Sequence, residues 1–287
     1  MPPFTIRQLK SVFADELSPL YATEECGQFV SMLLEHHCGL SRTAQLMAMD
    51  NLLAVDKQEL ILLAMAQLKT GIPIQYIVGE AWFMDHLFEV NASVLIPRPE
   101  TEELVDKVVT YNAKPDAAIL DIGTGSGCIA ISLKLALPDA DVSAWDVSPE
   151  ALAVARRNAV RNNCAVAFEH VDVLAVKPHD ISRRFDIIVS NPPYVCDSEK
   201  DEMHVNVLNN EPHLALFVPN DDALKFYRAI GELGLQMLNT GGLLFFEINQ
   251  AFGSEMVLLL ESLGYSEVEL FADLQGKDRI VKAVMHH

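Results

Sequence analysis

The run SNPPYV occupies residues 190–195 and follows the apolar stretch FDIIV. Pro192 and Pro193 lack an amide hydrogen and have fixed φ, so they end a strand and hold its exit extended. Two hydrogen-bond acceptors then stand at the tip, the side-chain oxygen of Asn191 and the carbonyl of Pro192. Together they can grip both hydrogens of a planar amino group and leave its nitrogen lone pair free to turn toward an electrophile. Pro193 stiffens the loop, and Tyr194 can lay a ring face against the plane of the held group. The same residues also make an ordinary turn, with Asn191 bonding its own backbone and Tyr194 half-buried. What else the chain brings to this tip decides between the two.

Upstream, AAILDIGTGSGCIAISL reads as a strand, a glycine-rich turn and a helix. Gly123, Gly125 and Gly127, with Thr124 and Ser126 between them, let backbone approach a ligand closely, and the helix behind them presents free N–H groups. A dinucleotide fingerprint needs G-x-G-x-x-G, whose last glycine falls on Cys128. The observed G-x-G-x-G, with Asp121 just ahead of it, resembles motif I of the class I methyltransferases that bind S-adenosylmethionine. Asp146 ends the next strand, where a carboxylate can accept both ribose hydroxyls of a nucleoside lying across the strand ends. Asp172, after the third strand in FEHVDVL, is placed to meet an adenine amino group, with Val173 beside the ring. Either aspartate can instead be a helix cap or a solvated loop acid.

The elements that must position these groups follow from periodicity. Residues 1–79 space their apolar positions at three and four, as in FTIRQLKSVFADEL, EECGQFVSMLLEHH and DKQELILLAMAQLKTG, and predict a small helical bundle. Ser41 and Asp56 are expected N-caps, and Met47, Met49 and Met65 are expected in its core. Residues 80–97 predict a β-hairpin connector, AWFM pairing with LFEV. Residues 98–287 open with a helix capped near Glu100 or Thr101 and then alternate strand with helix, which implies a mostly parallel sheet covered on both faces. The last two strands, SEVELF and DRIVKAV, are too close for a parallel crossover and must pair antiparallel. The fold class is therefore α/β, a Rossmann-like seven-stranded sheet with its seventh strand antiparallel. The polar segment CDSEKDEMHVNVLNNEPH is expected to be a surface loop.

Composition narrows the function. The chain has 287 residues, half of them apolar, and a formal net charge of −19. That acidity disfavours tracking along nucleic-acid phosphates and favours a basic protein partner. Five scattered cysteines without a C-x-x-C pair read as reduced thiols, and no metal site is expected. No apolar run is long enough to span a membrane and the first residues lack a secretion pattern, so a cytoplasmic protein is expected.

Methyl transfer from a sulfonium needs donor, methyl and acceptor in line. An amide nitrogen is a poor acceptor because its lone pair is shared with its carbonyl. As that nitrogen bonds to carbon it becomes positive, and two oxygens on its hydrogens then bind more strongly, without any general base. NPPY is the signature of methyltransferases acting on planar amino groups, either adenine N6 or an amide.

The order of LIPRPETEELV, LDIGTGSGCIAISL, SNPPYV, EPHLALF, GGLLFFEI and DLQGKDRIVKA is similar to that of the bacterial release-factor glutamine methyltransferases, the PrmC or HemK family, over nearly the whole chain. The resemblance implies S-adenosylmethionine contacts at Asp121, Gly123, Thr124, Gly125, Ser126, Gly127, Asp146, Asp172, Val173 and Asn191. It implies that Asn191, Pro192, Pro193 and Tyr194 hold the acceptor, with Asn191, Pro192 and Tyr194 catalytic. The acceptor it implies is the glutamine of the Gly-Gly-Gln tip of class 1 peptide chain release factors, so the enzyme would act in translation termination. Arg98 and Glu100 shape either the glutamine pocket or the hairpin-to-domain joint. The helical domain is expected to recognise the protein substrate, and a monomer without stable nucleic-acid binding is expected. The alternative is an adenine-N6 methyltransferase of DNA or RNA.

Overall fold

The computed structural model describes residues 2–176 and 183–286. They divide into two compact units, residues 1–79 with 204–210, and residues 80–203 with 211–287.

In the first unit α1 (Ile6–Leu17), α2 (Thr23–Cys38), α3 (Arg42–Met47), α4 (Val55–Leu68) and α5 (Ile74–Val78) follow one another. The three-and-four spacing places Ile6, Leu9, Phe13 and Leu17 of α1 against Phe29, Val30, Leu33 and Leu34 of α2 in one core. Thr5 begins α1 with a capping box closed by Gln8, and Ser41 caps α3 as expected. Asp56 is not a cap: Ala54 precedes the helix and Asp56 sits in the first turn, where its charge meets the positive end of the dipole. Met49 and Met65 pack against this core, whereas Met47, at the last position of six-residue α3, is 86% exposed.

The second unit begins with β1 (Glu80–Phe83) and β2 (His86–Glu89). They pair antiparallel around Met84 and Asp85, both at positive φ, a two-residue turn one position earlier than the sequence suggested. α6 (Pro99–Tyr111) follows, with Arg98 at the N-cap and Pro99 in the first turn, so neither Glu100 nor Thr101 caps it. Then come β3 (Ala118–Ile122), α7 (Cys128–Ala136), β4 (Asp141–Asp146), α8 (Pro149–Arg161), β5 (Ala167–His170) and β6 (Phe185–Ser190). The expected polar loop, residues 196–213, begins at the end of β7 (Val195–Cys196), holds α9 (Val205–Asn210) and ends at the start of α10 (His213–Leu216), which leads into β8 (Phe217–Val218), the partner of β7. α11 (Lys225–Met237), β9 (Leu238–Glu247), α12 (Gly253–Leu263), β10 (Ser266–Ala272) and β11 (Asp278–Val284) complete the chain.

That segment is more ordered than its polarity implied because apolar residues anchor it. Cys196, Leu216 and Val218 are buried, and Glu199 accepts the Cys196 N–H at 2.7 Å. The α9 stretch belongs to the helical unit, where Asn206 Nδ2 donates to the Tyr21 hydroxyl and Asn210 Nδ2 to the Gly71 carbonyl, each at 2.9 Å.

Among the described residues seven strands form one sheet, in the order β10-β11-β9-β6-β3-β4-β5. β11 runs antiparallel to both neighbours and the other pairs are parallel, as the short last connection required. Alternation splits each central strand between two cores: Ile119, Ile187, Val189 and Phe245 face one, Leu120, Ile188, Leu244 and Phe246 the other. The chain steps outward from β3 through β4 to β5 and returns to β6 on the other side of β3. That reversal opens a crevice at the carboxyl ends of these strands. No helix among the described residues is long and apolar enough to cross a membrane.

Candidate active site

The crevice is a cavity of about 460 Å³, within the size of small-molecule sites. Each strand contributes at its carboxyl end. Gly123, Thr124, Gly125 and Ser126 follow β3, Asp146 ends β4, Asp172 and Val173 follow β5, and Asn191, Pro192 and Pro193 follow β6; all line the cavity. Arg98 and Thr101 line it from the start of α6.

The glycine turn is built for close approach. Gly123, Gly125 and Gly127 all adopt positive φ, and a Cβ on Gly125 would meet nothing within 4 Å, so its backbone is open to a ligand. A Cβ on Gly123 would stand 4.0 Å from the Asn191 carbonyl, so turn and SNPPYV tip are neighbours. Gly127 does another job. It does not line the cavity, and a Cβ there would press on Ile131 at 3.0 Å and Ala155 at 3.1 Å, so it lets α7 approach α8. Asn158, fully buried in α8, donates to the Ser126 carbonyl at 2.9 Å and binds the Glu89 N–H and carbonyl, tying hairpin and turn together.

Asp146 lines the cavity and also braces it. Its Oδ2 accepts the Gly125 N–H and its Oδ1 the Ser148 N–H, each at 2.8 Å. Burial raises its pKa, opposed chiefly by those N–H bonds. Each oxygen keeps a second lone pair for a ligand hydroxyl.

Asp121 is fully buried and absent from the cavity wall; its Oδ2 accepts the Thr124 hydroxyl at 2.6 Å, so it supports the turn from behind. Burial pushes its pKa up to about 7. Between the unfolded value near 4 and that value, the folded protein holds a proton that the unfolded chain releases, so stability falls as pH rises through this window. Asp121→Asn should therefore match wild type near pH 4, gain on it progressively up to about pH 7, and hold a constant advantage above that. Urea midpoints across that range check this; parallel curves would refute it.

At the SNPPYV tip, Asn191 Nδ2 donates to Thr101 Oγ1 at 3.2 Å, leaving Asn191 Oδ1 without that partner. The Thr101 hydroxyl donates to Glu247 Oε2 at 2.6 Å, and the Tyr194 hydroxyl to Glu247 Oε1 at 3.1 Å. Tyr194 is thus turned away from the expected stacking position: it does not line the cavity, and its ring packs against the core beneath the sheet end. Burial and the adjacent Glu247 push its pKa far up, so it is a neutral donor. Burial also raises Glu247, opposed by its two hydroxyl donors and by the charge of Arg279. Arg98 pairs with buried Glu211 at 2.5 Å, and Glu211 accepts the Ile96 N–H at 3.1 Å. Arg98 therefore serves the joint between hairpin and helix while lining the cavity; Glu100 does not line it.

Sequence reasoning overlooked Glu247 and Thr101. The signal for Glu247 was present, since an acid ends the apolar run GLLFF as Asp146 ends its own strand.

Comparison with known proteins agrees with this architecture. A methyltransferase from Pyrococcus furiosus shares the fold at a TM-score of 0.52 and 19% identity, covering 82% of this chain and all of that one. That likeness is one of fold. Residues 101–216 match the methyltransferase small domain, and residues 22–79 the PrmC N-terminal domain. The release factor glutamine methyltransferase of Bacteroides thetaiotaomicron is 46% identical over 97% of this chain and 99% of its own length. That of Flavobacterium psychrophilum is 45% identical over 96% and 98%. With a glycine turn and an SNPPYV tip facing one cavity, and this degree of identity along its length, the chain belongs to the release factor glutamine methyltransferase family.

Proposed function

We propose that this protein transfers a methyl group from S-adenosylmethionine to the side-chain amide nitrogen of the glutamine in the Gly-Gly-Gln motif of class 1 peptide chain release factors. The observation that carries this reading is the shared cavity: the glycine turn, the carboxylates after β4 and β5, and the Asn191–Pro193 tip all line it. When bound, the cofactor supplies an electrophilic methyl group. The open backbone of Gly123 through Ser126 and the carboxylate of Asp146 suit its amino acid and ribose parts, and Asp172 with Val173 suits its adenine. Asn191 Oδ1 and the Pro192 carbonyl hold the two amide hydrogens, so the lone pair is turned out of conjugation and the charge growing on nitrogen meets two oxygens. The N–C bond forms as the methyl carbon parts from the sulfonium sulfur, and one of the two N–H protons then passes to water. Tyr194 acts from behind, through Glu247, rather than by stacking on the acceptor. The helical unit is assigned to recognition of the release factor.

Incubation with labelled S-adenosylmethionine and a class 1 release factor should label one glutamine, with oligonucleotides left unlabelled. Equal or greater transfer to DNA or RNA would reverse the assignment of substrate. Asp146→Ala should weaken binding of S-adenosylhomocysteine by roughly 10- to 100-fold, from lost ribose bonds and a loosened Gly125 turn. Calorimetry reads this directly, and an unchanged Kd would remove Asp146 from the donor site.

A further inference from the structure

We propose that Glu247 and Thr101 are positioning residues that dictate which end of the Asn191 carboxamide meets the acceptor. This rests on the amide methyl-transfer reading above. Glu247 is 1% exposed at the end of β9, and its carboxylate accepts from two hydroxyls, Thr101 at 2.6 Å and Tyr194 at 3.1 Å. Each hydroxyl has one proton, and both are spent on the two oxygens of this carboxylate. Thr101 Oγ1 is then only an acceptor toward its other neighbour, Asn191 at 3.2 Å. Asn191 must meet it with its NH2, which leaves Oδ1 at the other end of the planar group.

Polarity is thereby handed from carboxylate to hydroxyl to carboxamide. With the carboxamide reversed, Asn191 would present N–H groups to the N–H groups of the acceptor glutamine, and the grip would become a repulsion. Tyr194 holds Glu247 from the other side, and the Tyr227 hydroxyl donates to the Glu247 backbone carbonyl at 3.1 Å, so the relay is anchored in the core. The arrangement gives the tyrosine of SNPPYV a task that requires no contact with substrate.

The test compares wild type, Thr101→Val, Thr101→Ser and Glu247→Gln, using a class 1 release factor as acceptor and calorimetry with S-adenosylhomocysteine. Thr101→Val keeps the shape but loses the hydroxyl, and should lower kcat by ~100-fold while leaving KM for the release factor and Kd for the nucleoside within about threefold. Thr101→Ser restores the hydroxyl and should recover most of that loss. Glu247→Gln offers both a donor and an acceptor, no longer dictates polarity, and should lose an intermediate part of kcat. The relay is overturned if Thr101→Val turns over like wild type, if serine fails where valine fails, or if the loss appears in KM or Kd instead of kcat. Should Thr101→Val not fold, as its urea midpoint would show, Glu247→Gln decides: wild-type turnover there also overturns the relay. A wild-type protein that leaves glutamine unlabelled overturns the functional reading and the relay together; normal wild-type labelling with unimpaired variants overturns the relay alone.

Discussion

Asn191→Ala should bind S-adenosylhomocysteine within about tenfold of wild type, yet lose roughly 10²–10³-fold in turnover. The asymmetry follows from where the side chain sits. Asn191 follows β6 and lines the cavity, with its Nδ2 committed to Thr101 and its Oδ1 free of that bond. On the proposed reading the donor keeps the glycine turn, Asp146 and the β5 end, none of which depends on that carboxamide. On the same reading the acceptor would lose one of two oxygens that bind its hydrogens more strongly as nitrogen becomes positive, an interaction realised chiefly in the transition state. Single-turnover transfer to a release factor, set beside calorimetry, separates the two effects. Near-normal turnover would show that the Pro192 carbonyl alone suffices and that Asn191 has another role.

The second large effect is on stability. The Glu211 side chain is 1% exposed, and Arg98 neutralises it while the Ile96 N–H supplies a further bond. Arg98→Ala leaves a buried carboxylate with that N–H and no counter-charge, which should cost about 3–5 kcal/mol. Much of this is the penalty of the stranded charge, not the worth of the pair. The double variant Arg98→Ala with Glu211→Gln should therefore be more stable than Arg98→Ala alone, since a neutral amide oxygen still accepts from Ile96. Urea unfolding at neutral pH measures both. A loss below about 1 kcal/mol in the single variant would mean that the guanidinium is replaceable by water at this joint.

The parts of this protein that were legible in its sequence are those governed by local period. Apolar alternation in AILDI, FDIIVS and DRIVKAV marked strands because each must serve two cores at once, and the short connection before DRIVKAV fixed its direction. The glycines and the acids at strand ends were legible because the carboxyl edge of a parallel sheet gathers them without knowledge of side-chain packing. What escaped was decided by contacts distant in sequence. Thr101 and Glu247 are far apart along the chain, and only the fold brings the hydroxyl to the carboxylate. The orientation of Tyr194 depended on that same carboxylate. Asp121 and Gly127 lie within the recognisable motif, yet support the turn and the helix packing instead of facing the cavity, a distinction that spacing does not carry.

The membership of α9 in the helical unit bears on any attempt to dissect this protein. The polypeptide passes from one unit to the other at residues 79/80, returns at 203/204 and leaves again at 210/211, so no single cleavage separates them. A fragment beginning at residue 80 would carry a short helix whose Asn206 and Asn210 amides have lost the phenol of Tyr21 and the carbonyl of Gly71. Excision of either half as an autonomous module therefore requires the 204–210 stretch to be re-solvated or replaced, and a fragment's poor behaviour would report on that wound rather than on the half itself.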